Sequence, residues 1–121
     1  MAKILVIEDE APIRANLTRV LTMEGYQVIA AENGRAGIEL AARERPDLVL
    51  CDLVMPELDG YGVLSALRSD PATAAVPLVI LSASADKAER AVGLQRGAAE
   101  YLTKPFVLKE LLEVVVRCVG S

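Results

Sequence analysis

The sequence contains no histidine and no tryptophan, and aromatic residues make up only 3% of its 121 residues. The imidazole groups that most zinc sites use are therefore lacking. Its two cysteines, Cys51 and Cys118, favour buried thiols over a disulfide or a metal pair. No apolar run approaches the roughly 20 residues that a membrane span needs, and the short, quickly acidic N-terminus is unlike a secretory signal. We therefore expect a soluble, cytoplasmic protein without a membrane partner.

Basic residues are too few and too scattered to form a nucleic-acid surface. Lys and Arg number 13 against 17 Asp and Glu, which gives a net charge of −4, and no run exceeds two adjacent basic residues. We therefore expect this domain itself not to bind nucleic acid. A hydrophobic fraction of 53% excludes intrinsic disorder, and the length suffices for one well-packed core. The prediction is a single domain over residues 1–121.

Short apolar stretches alternate with segments of helical spacing along the whole chain. Strands are predicted at 3–7, 48–52 and 78–82, because their apolar runs at 4–7, 48–51 and 78–81 are typical of strands buried on both faces of a sheet. Two further strands are predicted, one at 26–31 and a short one at 100–103. Helices are predicted from Pro12 to about 24, at 35–45, from 59 to about 69, at 85–96, and from 108 to 119, with Asp9 or Glu10 capping the first. This alternation predicts an α/β fold, a doubly wound and mostly parallel sheet with helices on both faces.

Polar residues follow the carboxyl ends of the predicted strands, which is where ligands bind in such sheets. The first strand is followed by Glu8 and Asp9, the third ends in Asp52, the fourth ends in Ser82, and the fifth leads to Lys104. Three carboxylates, one hydroxyl and one amine are thus expected in one crevice.

The electrostatics of such a crevice favour a hard cation. Two carboxylates about 4 Å apart repel each other by roughly 4 kcal/mol at an effective dielectric constant of 20. A third carboxylate adds to this repulsion, and one lysine cannot neutralise all three. Mg²⁺ prefers carboxylate, water and phosphate oxygens. A carboxylate beside Mg²⁺, with a hydroxyl and a lysine close by, suits phosphoryl transfer to that carboxylate.

The sequence resembles a receiver domain of two-component response regulators, of the chemotaxis-regulator-like kind, from Lys3 to about Val119. Four motifs carry the resemblance, each at the end of a different predicted strand: Glu8-Asp9, Asp52-Leu53-Val54-Met55-Pro56 with Asp59-Gly60, Ser82-Ala83, and Lys104-Pro105-Phe106. The resemblance implies a flavodoxin-like (βα)5 fold with five parallel strands in the order 2-1-3-4-5.

For the metal site, the resemblance implies that Asp9 and Asp52 bind Mg²⁺ directly and that Asp52 is the phospho-acceptor. Glu8 would act mainly through a metal-bound water, and the backbone carbonyl of Val54 would be the third protein ligand. Glu8 is one methylene longer than the Asp that is commoner in the family. No other cofactor is implied.

For the phosphoryl group, the resemblance implies that Ser82 donates a hydrogen bond to it and that Lys104 pairs with it. Ser82 stands where many members of the family have Thr. Tyr101 would be the aromatic switch residue that turns inward when Ser82 moves. The Lys104–Pro105 peptide bond would be cis. Val54 and Ser84 occupy positions that modulate the dephosphorylation rate in the family, which leaves the lifetime of the phosphorylated state open.

The implied function is a phospho-accepting receiver of a phosphorelay. A histidine kinase or phosphotransfer protein would phosphorylate Asp52, and the face formed by helix four, strand five and helix five would change. A downstream effector, an output domain, or a second copy in a homodimer formed on phosphorylation would bind that face. Such a domain is not a conventional enzyme, since it catalyses only its own phosphorylation and dephosphorylation.

Three alternatives remain beside this function. A degenerate receiver would act only as a protein-docking module, but the complete set of site residues argues against it. An aspartate-nucleophile phosphatase of the haloacid dehalogenase type would require a second Asp at the position of Val54, and usually a cap domain. A flavodoxin-like FMN protein would require a loop rich in hydrogen-bond donors after the first strand, where Glu8, Asp9 and Glu10 would repel a phosphate.

Overall fold

The computed structural model describes residues 1–120, in which five strands alternate with five helices. The strands are β1 (Lys3–Ile7), β2 (Gln27–Ala31), β3 (Leu48–Asp52), β4 (Leu78–Ser82) and β5 (Glu100–Thr103). The helices are α1 (Ala11–Met23), α2 (Gly34–Glu44), α3 (Gly60–Ser69), α4 (Lys87–Gln95) and α5 (Leu108–Val119). None of these helices is long and apolar enough to cross a membrane.

All strand pairs are parallel, and the order across the sheet is β2-β1-β3-β4-β5. This arrangement confirms the predicted doubly wound, flavodoxin-like fold. Four of the predicted strands have the predicted bounds, and β2 begins one residue later than expected. The order reverses between β1 and β3, so the carboxyl ends of these two strands flank the crevice in which such sheets bind ligands.

The continuously apolar strands are buried because helices cover both faces of the sheet. Ile4 and Val6 of β1 pack with residues of α1 and α5 on one face. Leu5 and Ile7 pack with residues of α2 and α3 on the other face. Side chains alternate between faces along a strand, so a strand covered on both sides needs apolar residues at every position. Burial of each Leu or Ile side chain contributes about 1.5–3 kcal/mol.

Short polar side chains cap the starts of three helices, whereas α1 and α5 have no side-chain cap. Asn33, Asp59 and Asp86 each accept a hydrogen bond from a backbone N–H in the first turn of α2, α3 and α4. The Asp86 cap explains why α4 begins two residues later than predicted. The prediction that Asp9 or Glu10 caps α1 was wrong: Glu10 is at the N-cap position, but its side chain accepts no capping hydrogen bond.

The connection from β3 to α3 fixes the backbone around Asp52. The N–H of Gly60 donates to the carbonyl of Leu53 at 2.8 Å. A Cβ atom at Gly60 would lie 2.8 Å from the carbonyl oxygen of Asp52 and 3.0 Å from the Cα of Leu53. Both neighbours are backbone atoms, which cannot move without displacing the end of β3. Glycine at this position therefore allows α3 to start against the strand that carries Asp52.

We expect Gly60→Ala to lower the free energy of unfolding by about 1–3 kcal/mol, because the methyl group overlaps backbone atoms. Urea unfolding followed by circular dichroism measures this change. Gly62→Ala is the matched control within the same helical turn. Its added methyl group meets the side chain of Leu58, which can rotate away. Equal stability of the two variants would contradict the close approach at Gly60.

Candidate functional site

The sheet brings three carboxylates together at its carboxyl edge. Strands β1 and β3 are adjacent with Ile7 opposite Cys51, so the residues that follow, Glu8 and Asp52, stand side by side. Glu8, Asp9 and Asp52 each offer a carboxylate oxygen within 4.8 Å of the other two. Glu8 is fully buried and Asp52 is 7% exposed, whereas Asp9 is the most accessible of the three. The predicted acidic cluster is therefore assembled by the fold.

Lys104 joins the two buried carboxylates. Its Nζ lies 2.5 Å from Asp52 Oδ1 and 2.9 Å from Glu8 Oε1. The backbone N–H of Lys104 donates to the carbonyl of Ser82, and the Lys104–Pro105 peptide bond is cis, as predicted. One ammonium group beside three ionised carboxylates still leaves two negative charges in the crevice.

Burial dominates the protonation behaviour of the cluster. It raises the pKa of Glu8 and of Asp52, because removal from water disfavours the charged form, and the hydrogen bonds from Lys104 only partly offset this effect. The negative charge of Asp9 raises the pKa of Asp52 further. For Lys104, burial alone would lower the pKa, but its bonds to the two carboxylates outweigh burial and the pKa is raised.

The donor atoms in the crevice fit a hard divalent cation. All three carboxylates supply oxygen, and the closest thiol, Cys51, is buried with a pKa raised by burial. That thiol donates to the carbonyl of Asp52 at 3.3 Å. The side chain of Val54 lies at the surface, 78% exposed. Its apolar side chain therefore takes no part in the cluster, and only its backbone remains to serve as a ligand.

Ser82 and Tyr101 are linked through the loop that follows β4. The backbone N–H of Ser84 donates to Ser82 Oγ at 3.1 Å, and the carbonyl of Ser84 accepts from the Tyr101 hydroxyl at 3.2 Å. Tyr101 is only 2% exposed, so its ring lies inward in this structure. Sequence reasoning gave Ser84 only an effect on lifetime and did not predict this connection, which depends on how a loop folds.

Arg14 on α1 is a second residue of the site that sequence reasoning missed. Its Nη1 donates to the carbonyl of Glu8 at 2.8 Å and makes a longer contact of 3.5 Å with the carbonyl of Asp9. The only signal in the sequence is an arginine in the first turn of a helix, where positive charge is disfavoured.

Comparisons with known proteins agree with this fold and identify its family. Residues 4–116 match the family model of the response regulator receiver domain. The chain is 48% identical over 109 residues to the probable transcriptional regulator ycf27 of Porphyridium aerugineum, covering 90% of this chain and 44% of that protein. It is 39% identical over 115 residues to protein PilH of Pseudomonas aeruginosa, covering 95% of each. The solved structure of chemotaxis protein CheY4 of Vibrio cholerae superposes with a TM-score of 0.91 at 30% identity, covering 98% of each chain. The chain spans less than half the length of the ycf27 proteins that it matches.

We expect Glu8→Gln to raise the free energy of unfolding at neutral pH in the absence of metal. Because the pKa of Glu8 is raised in the folded protein, the folded state holds this proton more tightly than the unfolded state. The stability that this bound proton contributes is complete below pH 4.5, the ordinary pKa of the group, and is lost as pH rises through the raised pKa of the folded protein. The advantage of Glu8→Gln should therefore shrink as pH falls toward 4.5.

Urea unfolding with EDTA across this pH range tests that expectation. Glu10→Gln, which removes an exposed neighbouring carboxylate, is the control for loss of one negative charge. A Glu8→Gln protein that is less stable than wild type at neutral pH would contradict the account of burial.

Proposed function

Because the chain belongs to the response regulator receiver domain family, we propose that it is a phosphorylation switch of two-component signalling in which Asp52 is the phospho-acceptor. A histidine kinase or a phosphotransfer protein would be the donor, in the cytoplasm. The observation that carries the proposal is the Asp52 carboxylate at the end of a central strand, with Glu8, Asp9 and Lys104 around it. The chain would catalyse only its own phosphorylation and dephosphorylation.

The transfer requires a nucleophilic oxygen and compensation of charge. A carboxylate oxygen of Asp52 would form the new O–P bond as the bond from phosphorus to the donor nitrogen breaks. Lys104, already 2.5 Å from Asp52, is in reach of an oxygen of the incoming group. Ser82 is the residue whose hydroxyl would donate to a second phosphoryl oxygen. Its Oγ at present accepts from Ser84, which leaves its own proton available for this bond.

Mg²⁺ is the proposed cofactor, held directly by Asp9 and Asp52, by the backbone carbonyl of Val54, and by Glu8 through a water. When bound, the ion would neutralise charge on the transferring phosphoryl oxygens. Support comes from the set of oxygen donors and from the two negative charges that Lys104 leaves uncompensated. Burial is the main cause of the raised pKa of Asp52, and the bound ion would offset the repulsion from Asp9 that adds to it.

The signal would leave the site through the contacts of Ser84. Phosphoryl oxygens that attract Ser82 would also move Ser84, because the Ser84 N–H is bonded to Ser82 Oγ. The carbonyl of Ser84 holds the Tyr101 hydroxyl, so a shift of this loop changes the packing of β5 against α4. The proposed output face comprises α4, β5 and α5, with the exposed Ala85, Ala88 and Lys109 as candidate contact residues, whereas Tyr101 is buried and would act on the face from within.

The proposed binding partners of this face are a downstream effector, an output domain, or a second copy of the chain after phosphorylation. A relative named as a probable transcriptional regulator matches over less than half of its length, whereas PilH matches over 95%. Protein partners, rather than nucleic acid bound by this domain, are proposed because basic residues are scattered and the net charge is −4.

Incubation with acetyl phosphate and Mg²⁺ should add the mass of one phosphoryl group to the wild-type chain and none to Asp52→Asn. Intact-mass spectrometry measures the gain. Asp47→Asn is the matched control, because Asp47 directly precedes the same strand at its other end. It should be phosphorylated like wild type. No gain in the wild-type chain, or an equal gain in Asp52→Asn, would contradict the assignment of the acceptor.

Millimolar Mg²⁺ should raise the thermal midpoint of the wild-type chain, since a ligand that binds only the folded state stabilises it by about 1.4 kcal/mol at ten times its Kd. Asp9→Asn should lose most of this shift, because it removes a proposed direct ligand. Glu10→Gln changes the adjacent, exposed carboxylate and should keep the shift. A wild-type chain that Mg²⁺ does not stabilise would count against the metal site.

A further inference from the structure

Arg14 occupies a position that the physics of helices disfavours. It is the fourth residue of α1, where the helix dipole places positive partial charge. The first turn of α1 carries no acidic residue, and among residues 1–120 Arg14 forms no ion pair with a carboxylate. A residue that is unfavourable for its own helix, and that no ion pair compensates, points to a role in a functional site.

The contacts of Arg14 are with the backbone of the acidic pair. Its Nη1 donates to the carbonyl of Glu8 at 2.8 Å and approaches the carbonyl of Asp9 at 3.5 Å. The guanidinium group thus reaches back from α1 across the loop that joins β1 to the helix. An arginine suits this task, because its planar group presents several donors in a fixed geometry.

Glu8 and Asp9 differ in how firmly other groups hold them. The N–H of Glu8 donates to the carbonyl of Ala31, its Oε1 accepts from Lys104, and its Oε2 accepts from the N–H of Glu10. Asp9, within residues 1–120, receives a hydrogen bond only from Arg14. The loop segment that carries the most accessible carboxylate of the cluster is therefore held at its own carbonyl by Arg14, beside the bonds that hold Glu8 and Glu10.

We propose that Arg14 is a positioning residue of the Mg²⁺ site, which fixes the β1–α1 loop so that Asp9 faces Asp52 before the ion arrives. The inference rests on the proposed function, since it assumes that this cluster takes up Mg²⁺. Groups that orient metal ligands typically change metal affinity by 10–100-fold when they are removed. A loop that is already ordered loses less conformational freedom on binding, which is the source of the gain.

The charge of Arg14 and its positioning role predict opposite effects on Mg²⁺. Removal of a nearby positive charge alone would tighten cation binding. Loss of the backbone contacts would weaken it. The sign of the change in Mg²⁺ affinity therefore separates the two roles, and the Arg14→Met variant keeps the aliphatic stem while it removes the guanidinium group.

The test is a Mg²⁺ titration of the full chain in its wild-type, Arg14→Met and Arg14→Lys forms. Amide chemical shifts in ¹H–¹⁵N spectra report the binding and give the Kd. We expect the Kd of Arg14→Met to rise about tenfold. Arg14→Lys should give a smaller rise, because one ammonium group replaces the fork of donors. Arg19→Met is the matched control, since Arg19 lies on the same helix and its guanidinium group, among residues 1–120, bonds only the side chain of Asn16.

An unchanged or lower Mg²⁺ Kd in Arg14→Met would overturn the proposal. This holds also if the thermal midpoint of the variant falls, because lower stability with unchanged Mg²⁺ affinity is what a purely structural residue would give. If Arg14→Met does not fold, a Kd of Arg14→Lys equal to that of wild type overturns it. Absence of Mg²⁺ binding by the wild-type chain would overturn the proposed metal site, and this role with it. Wild-type binding with no effect of Arg14 removes the role of Arg14 alone.

Discussion

The contact of the Lys104 ammonium with Asp52 and Glu8 is the interaction on which the site depends. The parallel sheet places two carboxylates at the ends of adjacent central strands, where they are almost completely buried. Burial of a charge is costly unless a partner compensates it. Lys104 reaches the same point from β5, two strands away from β3, and bonds both groups. The topology thus brings the buried carboxylates together and also supplies the ammonium group that partly compensates their negative charge.

The compensation is incomplete, and this is what makes the site suitable for a cation and a phosphoryl group. The pKa of Asp52 is raised even with Lys104 bound, and Asp9 contributes to that rise. A site in this condition gains free energy when a divalent ion arrives, and the ion attracts phosphoryl oxygens in turn. The same lysine that stabilises the metal-free state lies where it can pair with the phosphoryl group. Under the proposed function, stability and phosphoryl transfer would therefore depend on the same few atoms.

The fold and the acidic cluster could be predicted because they follow from strong local patterns. Strands β3 and β4 are apolar up to a final polar residue, Asp52 or Ser82, and the carboxyl ends of parallel strands meet at one edge. The capping of α1 was predicted wrongly, because the Glu10 side chain accepts no bond from the first turn, while the Glu10 N–H itself donates to the side chain of Glu8. The start of α4, the inward position of Tyr101 and the reach of Arg14 depend on loop geometry and on contacts between distant segments, which residue patterns do not specify.

The central claim is tested most directly by the free energy of unfolding of Lys104→Met relative to wild type, measured in EDTA and again in saturating Mg²⁺. The variant keeps the aliphatic stem and removes only the compensating charge. The account predicts a loss of about 2 kcal/mol in EDTA, below the roughly 3–5 of a fully buried pair, since Lys104 retains some contact with solvent. Most of that loss should be recovered when Mg²⁺ supplies the missing positive charge. An equal loss under both conditions, or no loss in EDTA, would contradict it.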